Sequence, residues 1–309
     1  QGKPVKLNHP LNGIPYANGV FDLDQGAIRN YKPEDGRTFL GETEYVDDES
    51  TPEEVIGLIR HMANGDNELE ELIYAATWLH ITGVHNLPTF KSGFFIWACP
   101  DGFSGRTALF DVINRASGGN SSVAMGSIDD LADPNVRARF EGRNYGVIDE
   151  ANTVMSAKSK SMSILKQVVG GETYLDSKTL YKDRSQIKGH WVISQALNSM
   201  SLIYAADRPL VDRTVAIVTS RIPEEEIERF GVARARRQRS DAEASALVRF
   251  LWNKFGAPEN AANAVERLKA KYKGFVDQLA DSGSPLKEFC GEALTPAPGK
   301  SVVMKAFVQ

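Results

Sequence analysis

Cysteine is nearly missing from this chain of 309 residues, with only Cys99 and Cys290 present. Two cysteines without paired or C-x-x-C spacing exclude a disulfide scaffold and a thiolate zinc site, and they fit a reducing, cytoplasmic setting. The five histidines, His9, His61, His80, His85 and His190, show no ligand spacing either, which leaves structural roles for them. No apolar run approaches the roughly 20 residues that span a bilayer. A basic excess is also lacking. The net charge is −4, so no global positive field advertises a nucleic acid and any such surface must be local. Around Ser104 the Gly-x-Ser-x-Gly elbow of a hydrolase is absent, and no internal repeat marks a solenoid. The chain starts at Gln1 without a methionine or a signal-peptide pattern, and it is expected to be a piece of something longer. What is present is ordinary for a globular protein: 42% apolar and 25% charged residues, enough core for roughly two domains by length.

Two stretches organise the rest. Phe94-Phe95-Ile96-Trp97-Ala98 reads as a buried strand, followed by Cys99-Pro100-Asp101-Gly102-Phe103-Ser104-Gly105 and the helix opening Arg106-Thr107-Ala108-Leu109. Strand, glycine-bearing loop and helix is the order of a phosphate-binding loop, which turns backbone N–H groups and a helix N-terminus toward phosphate. The usual pattern is Gly, four residues, then Gly-Lys and Ser or Thr. Here Pro100 takes the first glycine position and Arg106 the lysine position. Proline lacks an N–H, and a guanidinium is larger than an ammonium and planar. Taken alone, a Gly-x-x-Gly turn is more simply a tight strand–helix connection. Tyr145-Gly146-Val147-Ile148-Asp149-Glu150 is the second stretch, a buried strand ending in two carboxylates. Beside the loop, such carboxylates hold Mg²⁺ and polarise an attacking water.

In order along the chain, Ile14 to Arg29 reads as two short strands joined around Asp24-Gln25-Gly26. Thr51-Pro52-Glu53-Glu54 has the composition of a helix start with Thr51 as cap. A second helix covers about Glu68 to Ile81, with Leu69, Leu72, Ile73, Ala76 and Leu79 on one face and Gly83 beyond its end. The loop helix runs to about Ala116, and short helices fall near Asp129–Leu131 and Val136–Phe140. Another helix spans Ser159–Val169, ended by Gly170-Gly171. Thr173–Leu175 and Ser177–Tyr181 are β-rich and suit a hairpin. Trp191–Gln195 and Thr214–Val218 are further buried strands. Strands alternating with helices argue for a three-layer α/β core with a parallel sheet. From Pro223 onward the chain turns helical, over Glu224–Arg229, Asp241–Phe255 and Ala261–Ala280, and Ser301–Val308 looks like one strand. The expected division is 1–88, a hairpin and helical oligomerisation domain; 89–222, the core; and 223–309, a helical C-terminal region.

The order of motifs resembles the helicase part of phage and plasmid primase-helicases. These form the poxvirus-type branch of superfamily 3 within the AAA+ ATPases. Asn18-Gly19-Val20-Phe21-Asp22-Leu23 is similar to that family's entry segment. Leu165-Lys166-Gln167-Val168-Val169-Gly170-Gly171-Glu172 and Leu180-Tyr181-Lys182-Asp183 resemble the stretch that precedes and builds its basic channel hairpin. The likeness covers about residues 14–220. It implies an AAA+ P-loop core, ATP and Mg²⁺ as cofactors, and a ring oligomer, six subunits in this family, acting on single-stranded DNA. It also implies an attached primase or polymerase domain. Gly102, Phe103, Ser104, Gly105, Arg106 and Thr107 would cradle the triphosphate, with Thr107 and Asp149 on the metal and Glu150 as general base. Arg213 matches the arginine finger that reaches a neighbour's nucleotide. The polar sensor at the end of the Trp191 strand is Gln195 or Asn198, with Asn198 preferred because the family favours asparagine.

Charge supports the channel hairpin independently. Between Lys158 and Lys188 seven basic residues oppose three acids, a local excess of +4 in a chain of −4. Such a cluster is most often a solvated face. Repeated around a ring it becomes a track for a phosphate backbone, with Lys178 and Lys182 near the hairpin tip. Arg234, Arg236, Arg237 and Arg239 read as one side of a basic helix, a solvated face or a subunit contact. The alternative to an ATP-driven helicase is a helicase-like DNA-binding or oligomerisation module with weak or no ATPase activity. A more distant one is another P-loop ATPase, such as an initiator or clamp-loading factor.

Overall fold

The computed structural model describes residues 13–35, 40–47, 50–83, 90, 92–99, 101–148, 160–170, 174–178, 185–188, 191–197, 208–227, 240–274 and 276. The chain opens with β1 (Ile14–Tyr16), β2 (Gly19–Asp22) and β3 (Ala27–Arg29), an antiparallel meander. Three strands stand where two were expected, because Ala17-Asn18 makes a turn of its own between Tyr16 and Gly19. Asn18 exchanges hydrogen bonds with the Tyr45 backbone at 2.9 Å each. A Cβ on Gly19 would lie 2.4 Å from Arg29 O, so only glycine fits there. Arg29 then ties the second turn together through Asp22 (2.7 Å) and Asp35 (2.6 Å).

Two helices follow. α1 (Glu53–Ala63) begins behind Pro52 without a side-chain cap, so Thr51 is not the capping residue that the sequence suggested. α2 (Asn67–Thr82) is capped by Asp66, whose carboxylate accepts from Glu68 N and Leu69 N, and it ends on left-handed Gly83. Every residue of α2 from Leu72 to Thr82 is buried, a helix enclosed on all sides instead of on one face.

The core consists of β4 (Phe94–Ala98), α3 (Arg106–Ala116), β5 (Ser122–Met125), α4 (Pro134–Ala138), β6 (Tyr145–Ile148), α5 (Lys160–Gly170), β7 (Tyr174–Ser177), β8 (Ser185–Lys188), β9 (Val192–Leu197), α6 (Arg208–Val211) and β10 (Thr214–Val218). Five of these strands form one sheet in the order β10-β4-β9-β6-β5, parallel throughout. One face buries Phe95, Trp97, Val192, Val215 and Ile217 against α1, α2 and α3. The other buries Phe94, Ile96, Ile148, Ile193 and Leu197 against α5 and the turn 128–132. This is the expected three-layer α/β core. β5 was not anticipated: its alternation of buried Val123 and Met125 with half-buried Ser122 and exposed Ala124 is too short to register as a strand. β7 pairs antiparallel with β8, so Ser177, expected in the second strand, ends the first one opposite Ser185; residues 179–181 of the expected strand lie outside the described residues.

Two more helices complete the packing, α7 (Asp241–Phe255) and α8 (Pro258–Lys269). α8 starts three residues before the expected Ala261 because Pro258 takes the first helical turn. It is succeeded by a 3₁₀ turn, Ala270–Tyr272. Leu247, Val248, Leu251, Ala261 and Val265 belong to the same apolar cluster as α1, α2 and one sheet face. Trp252 Nε1 donates to Leu23 O (2.9 Å), Trp78 Nε1 to Gly256 O (3.2 Å), and Arg115 pairs with Asp241. The C-terminal helices thus clasp α2 and the N-terminal meander. Among the described residues no helix is long and apolar enough to cross a membrane.

Candidate functional site

The site begins with strand order. β4 sends its chain across the sheet to β5, whereas β9 sends its chain the other way to β10. Neighbouring parallel strands whose exits diverge leave a crevice beyond their carboxyl ends, where α/β sheets bind ligands. The segment after β4 lies there. Cys99 N donates to Leu197 O at 3.1 Å, joining the loop to the last residue of β9.

The loop itself is shaped by left-handed residues. Gly102, Phe103 and Gly105 have φ of +66°, +49° and +78°. At Gly102 the space is open and φ alone calls for glycine; at Gly105 a Cβ would also lie 2.5 Å from Leu58 Cδ1 and 2.8 Å from Ile222 Cδ1. The loop is braced by Gly102 N on Cys99 O (3.0 Å), the Cys99 thiol on Gly102 O (3.1 Å) and Ile222 N on Phe103 O (3.0 Å). Among the described residues the N–H groups of Phe103, Ser104 and Gly105 donate to no acceptor, and α3 has no side-chain cap. Ser104 is buried, and its hydroxyl has no partner there. Thr107 stands exposed in the first turn of α3. Unsatisfied donors in a left-handed turn that leads into a helix N-terminus are the donor set an anion uses.

Arg106 is placed differently from a loop lysine aimed outward. It is buried, and its Nη1 donates to Trp97 O (2.5 Å) and Leu197 O (2.6 Å), clamping the ends of β4 and β9 together.

The other expected site residues divide by position. Asp149, Glu150, Asn198 and Lys182 lie outside the described residues, as do Pro100 and the arginines at 234–239. The strand that leads to Asp149 ends with Ile148 level with Gln195 on β9, one strand away from β4. Gln195 is buried beside it. Arg213 directly precedes β10, whose first residue, Thr214, is level with Phe94 at the start of β4. It is therefore at the amino-terminal edge of the sheet, the edge opposite the loop, with its guanidinium near Gly170 at the end of α5. Lys178 is exposed just past β7, its N–H on Pro134 O (3.1 Å). Arg137, buried beneath, donates to Asp176 O (2.7 Å) and Leu131 O (2.6 Å) and anchors the hairpin. Burial holds its pKa below the usual arginine value. Sequence reasoning missed Arg221, which packs on the loop from beyond β10 and belongs to no motif.

No family model matches the chain, and no curated protein does. Solved structures do. The C-terminal region of NrS-1 matches with TM-scores of 0.52 and 0.53 at 14% identity, over 78% and 82% of this chain. The chain spans 54% and 57% of the length of those regions. A looser match, with a TM-score of 0.37 at 15% identity, is to JCV helicase over 74% of each chain. At these identities the likeness to the NrS-1 region is one of fold.

Proposed function

We propose that this chain is the ATP-driven helicase or translocase module of a replication protein, working on single-stranded DNA as a ring, with six copies as the expected number. The observation that carries the reading is the loop after β4, with unclaimed N–H donors beside the diverging exits of β4 and β9. The motif order described above and the fold shared with the NrS-1 region support it. In this reading the loop N–H groups hold the phosphates of ATP, and Thr107 and Asp149 hold Mg²⁺. The ion, when bound, supplies positive charge to the phosphate oxygens. Glu150 takes the proton of the attacking water, while Asn198 or Gln195 orients that water. Arg213 serves the neighbouring subunit, Lys178 and Lys182 the DNA, and a primase or polymerase domain is the fitting companion. The burial of Arg106 favours the module with weak or no ATPase as second reading, because the usual loop cation is occupied by the sheet.

ATP turnover, measured with and without a single-stranded oligonucleotide, separates the two. The helicase reading expects DNA-stimulated turnover. It also expects Glu150→Gln to lower the rate by roughly 10²–10⁴-fold, the scale of a lost general base, with ATP binding retained. Equal turnover in the variant removes Glu150 from the chemistry, and no turnover in the native chain leaves the inactive module.

A further inference from the structure

The loop has a second cation, supplied from the far end of the core. Arg221 follows β10, and its guanidinium carbon lies 5.0 Å from the centroid of the Phe103 ring. Nη1 donates to Asp101 O at 3.2 Å. The backbone on either side is fixed: Thr219 N donates to Ala98 O (2.8 Å), Ser220 N to Met62 O (2.9 Å) and Ile222 N to Phe103 O (3.0 Å). The side chain itself is exposed at the rim of the loop. A long charged side chain thus has a rigid base and a solvated head.

Arg106 and Arg221 differ in how easily they can change partners. Arg106 is buried, and leaving the sheet would strip a charged donor from Trp97 O and Leu197 O. Among the described residues, Arg221 has a neutral carbonyl and an exposed ring to give up. A charge-assisted bond to a phosphate oxygen is roughly twice as strong as a neutral one, and an exposed cation–π contact is weak by comparison. Phe103 fits the same picture. It is a bulky residue in a left-handed conformation with its ring 65% exposed, an unfavourable placement that no core packing explains. What the ring does there is receive the guanidinium. The N–H groups of Phe103, Ser104 and Gly105 and the buried hydroxyl of Ser104 lie in the same few residues.

We propose that Arg221 is the phosphate-binding cation of this loop, resting on Phe103 and Asp101 O until a polyphosphate enters. Arg106 stays on the sheet as a structural tie. The inference rests on the nucleotide reading of the loop.

Calorimetric titration of the full chain with Mg·ATP, and separately with tripolyphosphate, tests it at two salt concentrations. Arg221→Gln keeps a donor for Asp101 O but removes the charge. It should weaken binding about tenfold or more and flatten the salt dependence, with an unchanged melting temperature. Arg221→Lys should stay within a few-fold of the native affinity. Native binding with an unaltered affinity and salt slope in Arg221→Gln overturns the inference and leaves the nucleotide reading intact. Native binding of tripolyphosphate but not ATP removes the nucleotide reading, and the Arg221 variants then decide the inference on tripolyphosphate. No native binding of either probe overturns both.

Discussion

Two buried basic groups lie close to the site, and each fixes a measurable property. Arg106 joins the carboxyl ends of β4 and β9 through Trp97 O and Leu197 O. Removing a charged donor from buried acceptors costs roughly 1.5–3 kcal/mol. Arg106→Met is therefore expected to lose about 2 kcal/mol in urea unfolding, with Arg106→Lys losing less; an unmoved midpoint in Arg106→Met would show that the clamp is not structural. His80 is held in a complete chain of bonds: Trp97 Nε1 donates to Ser194 Oγ (3.0 Å), Ser194 Oγ donates to His80 Nε2 (2.6 Å), and His80 Nδ1 donates to Ala76 O (2.6 Å). That chain needs the neutral ring. Burial pushes the His80 pKa down from 6.5 to about 4, only partly offset by the bond to Ala76 O. The unfolded chain therefore binds the proton more readily than the folded one. Stability is full above pH 6.5 and falls as pH drops toward 4, by about 3 kcal/mol for a shift of this size. Urea midpoints across that window should fall less steeply in His80→Gln than in the native chain, and parallel curves would refute the assignment.

Elements were legible where a local signal was strong. The Asp66 cap and left-handed Gly83 bound α2 nearly where the sequence placed it, and the apolar runs gave β4, β6, β9 and β10. β5 escaped because it has only two inward residues, and Thr51 misled because Pro52 occupies the cap. The glycines of the loop after β4 could be read, since Gly102 and Gly105 both take left-handed φ values in the turn itself. The fate of Arg106 and the arrival of Arg221 could not. Both depend on partners brought together by the sheet, Leu197 and Phe103, far off in sequence. The β7–β8 hairpin lies between these cases, correct in its first strand and late in its second. It is anchored by Arg137 to the turn 128–132, with exposed Lys178 just past β7. If it carries DNA, Lys178→Ala and Lys182→Ala should each weaken single-stranded DNA binding and lower the salt slope by about one counterion, as the loss of a phosphate contact does. Unchanged affinity and slope in both would make the basic stretch a solvated face.

At the scale of the whole molecule, the sheet separates two expected parts of one reaction. The loop proposed to hold phosphate leaves the carboxyl end of β4, and Arg213 enters the amino end of β10, its neighbour in parallel register. Five residues of strand lie between these edges, about 16 Å at 3.3 Å each. Within one chain Arg213 stands across the sheet from the loop, so a finger role requires a second copy whose loop meets this edge. Such a contact joins two different surfaces and closes into a ring when its rotation permits. Arg213→Ala is then expected to bind ATP normally yet lose turnover, and native turnover per chain should fall on dilution as the assembly dissociates. A mixing experiment is sharper. On that reading neither Arg213→Ala nor Glu150→Gln would turn over alone, but a mixed ring would contain interfaces with Glu150 from the first and Arg213 from the second. With equal amounts and random assembly, about a quarter of the interfaces are intact, and activity should reappear in that proportion. Mixtures as inactive as their parts, or native turnover independent of dilution down to the monomer, would place Arg213 outside the chemistry.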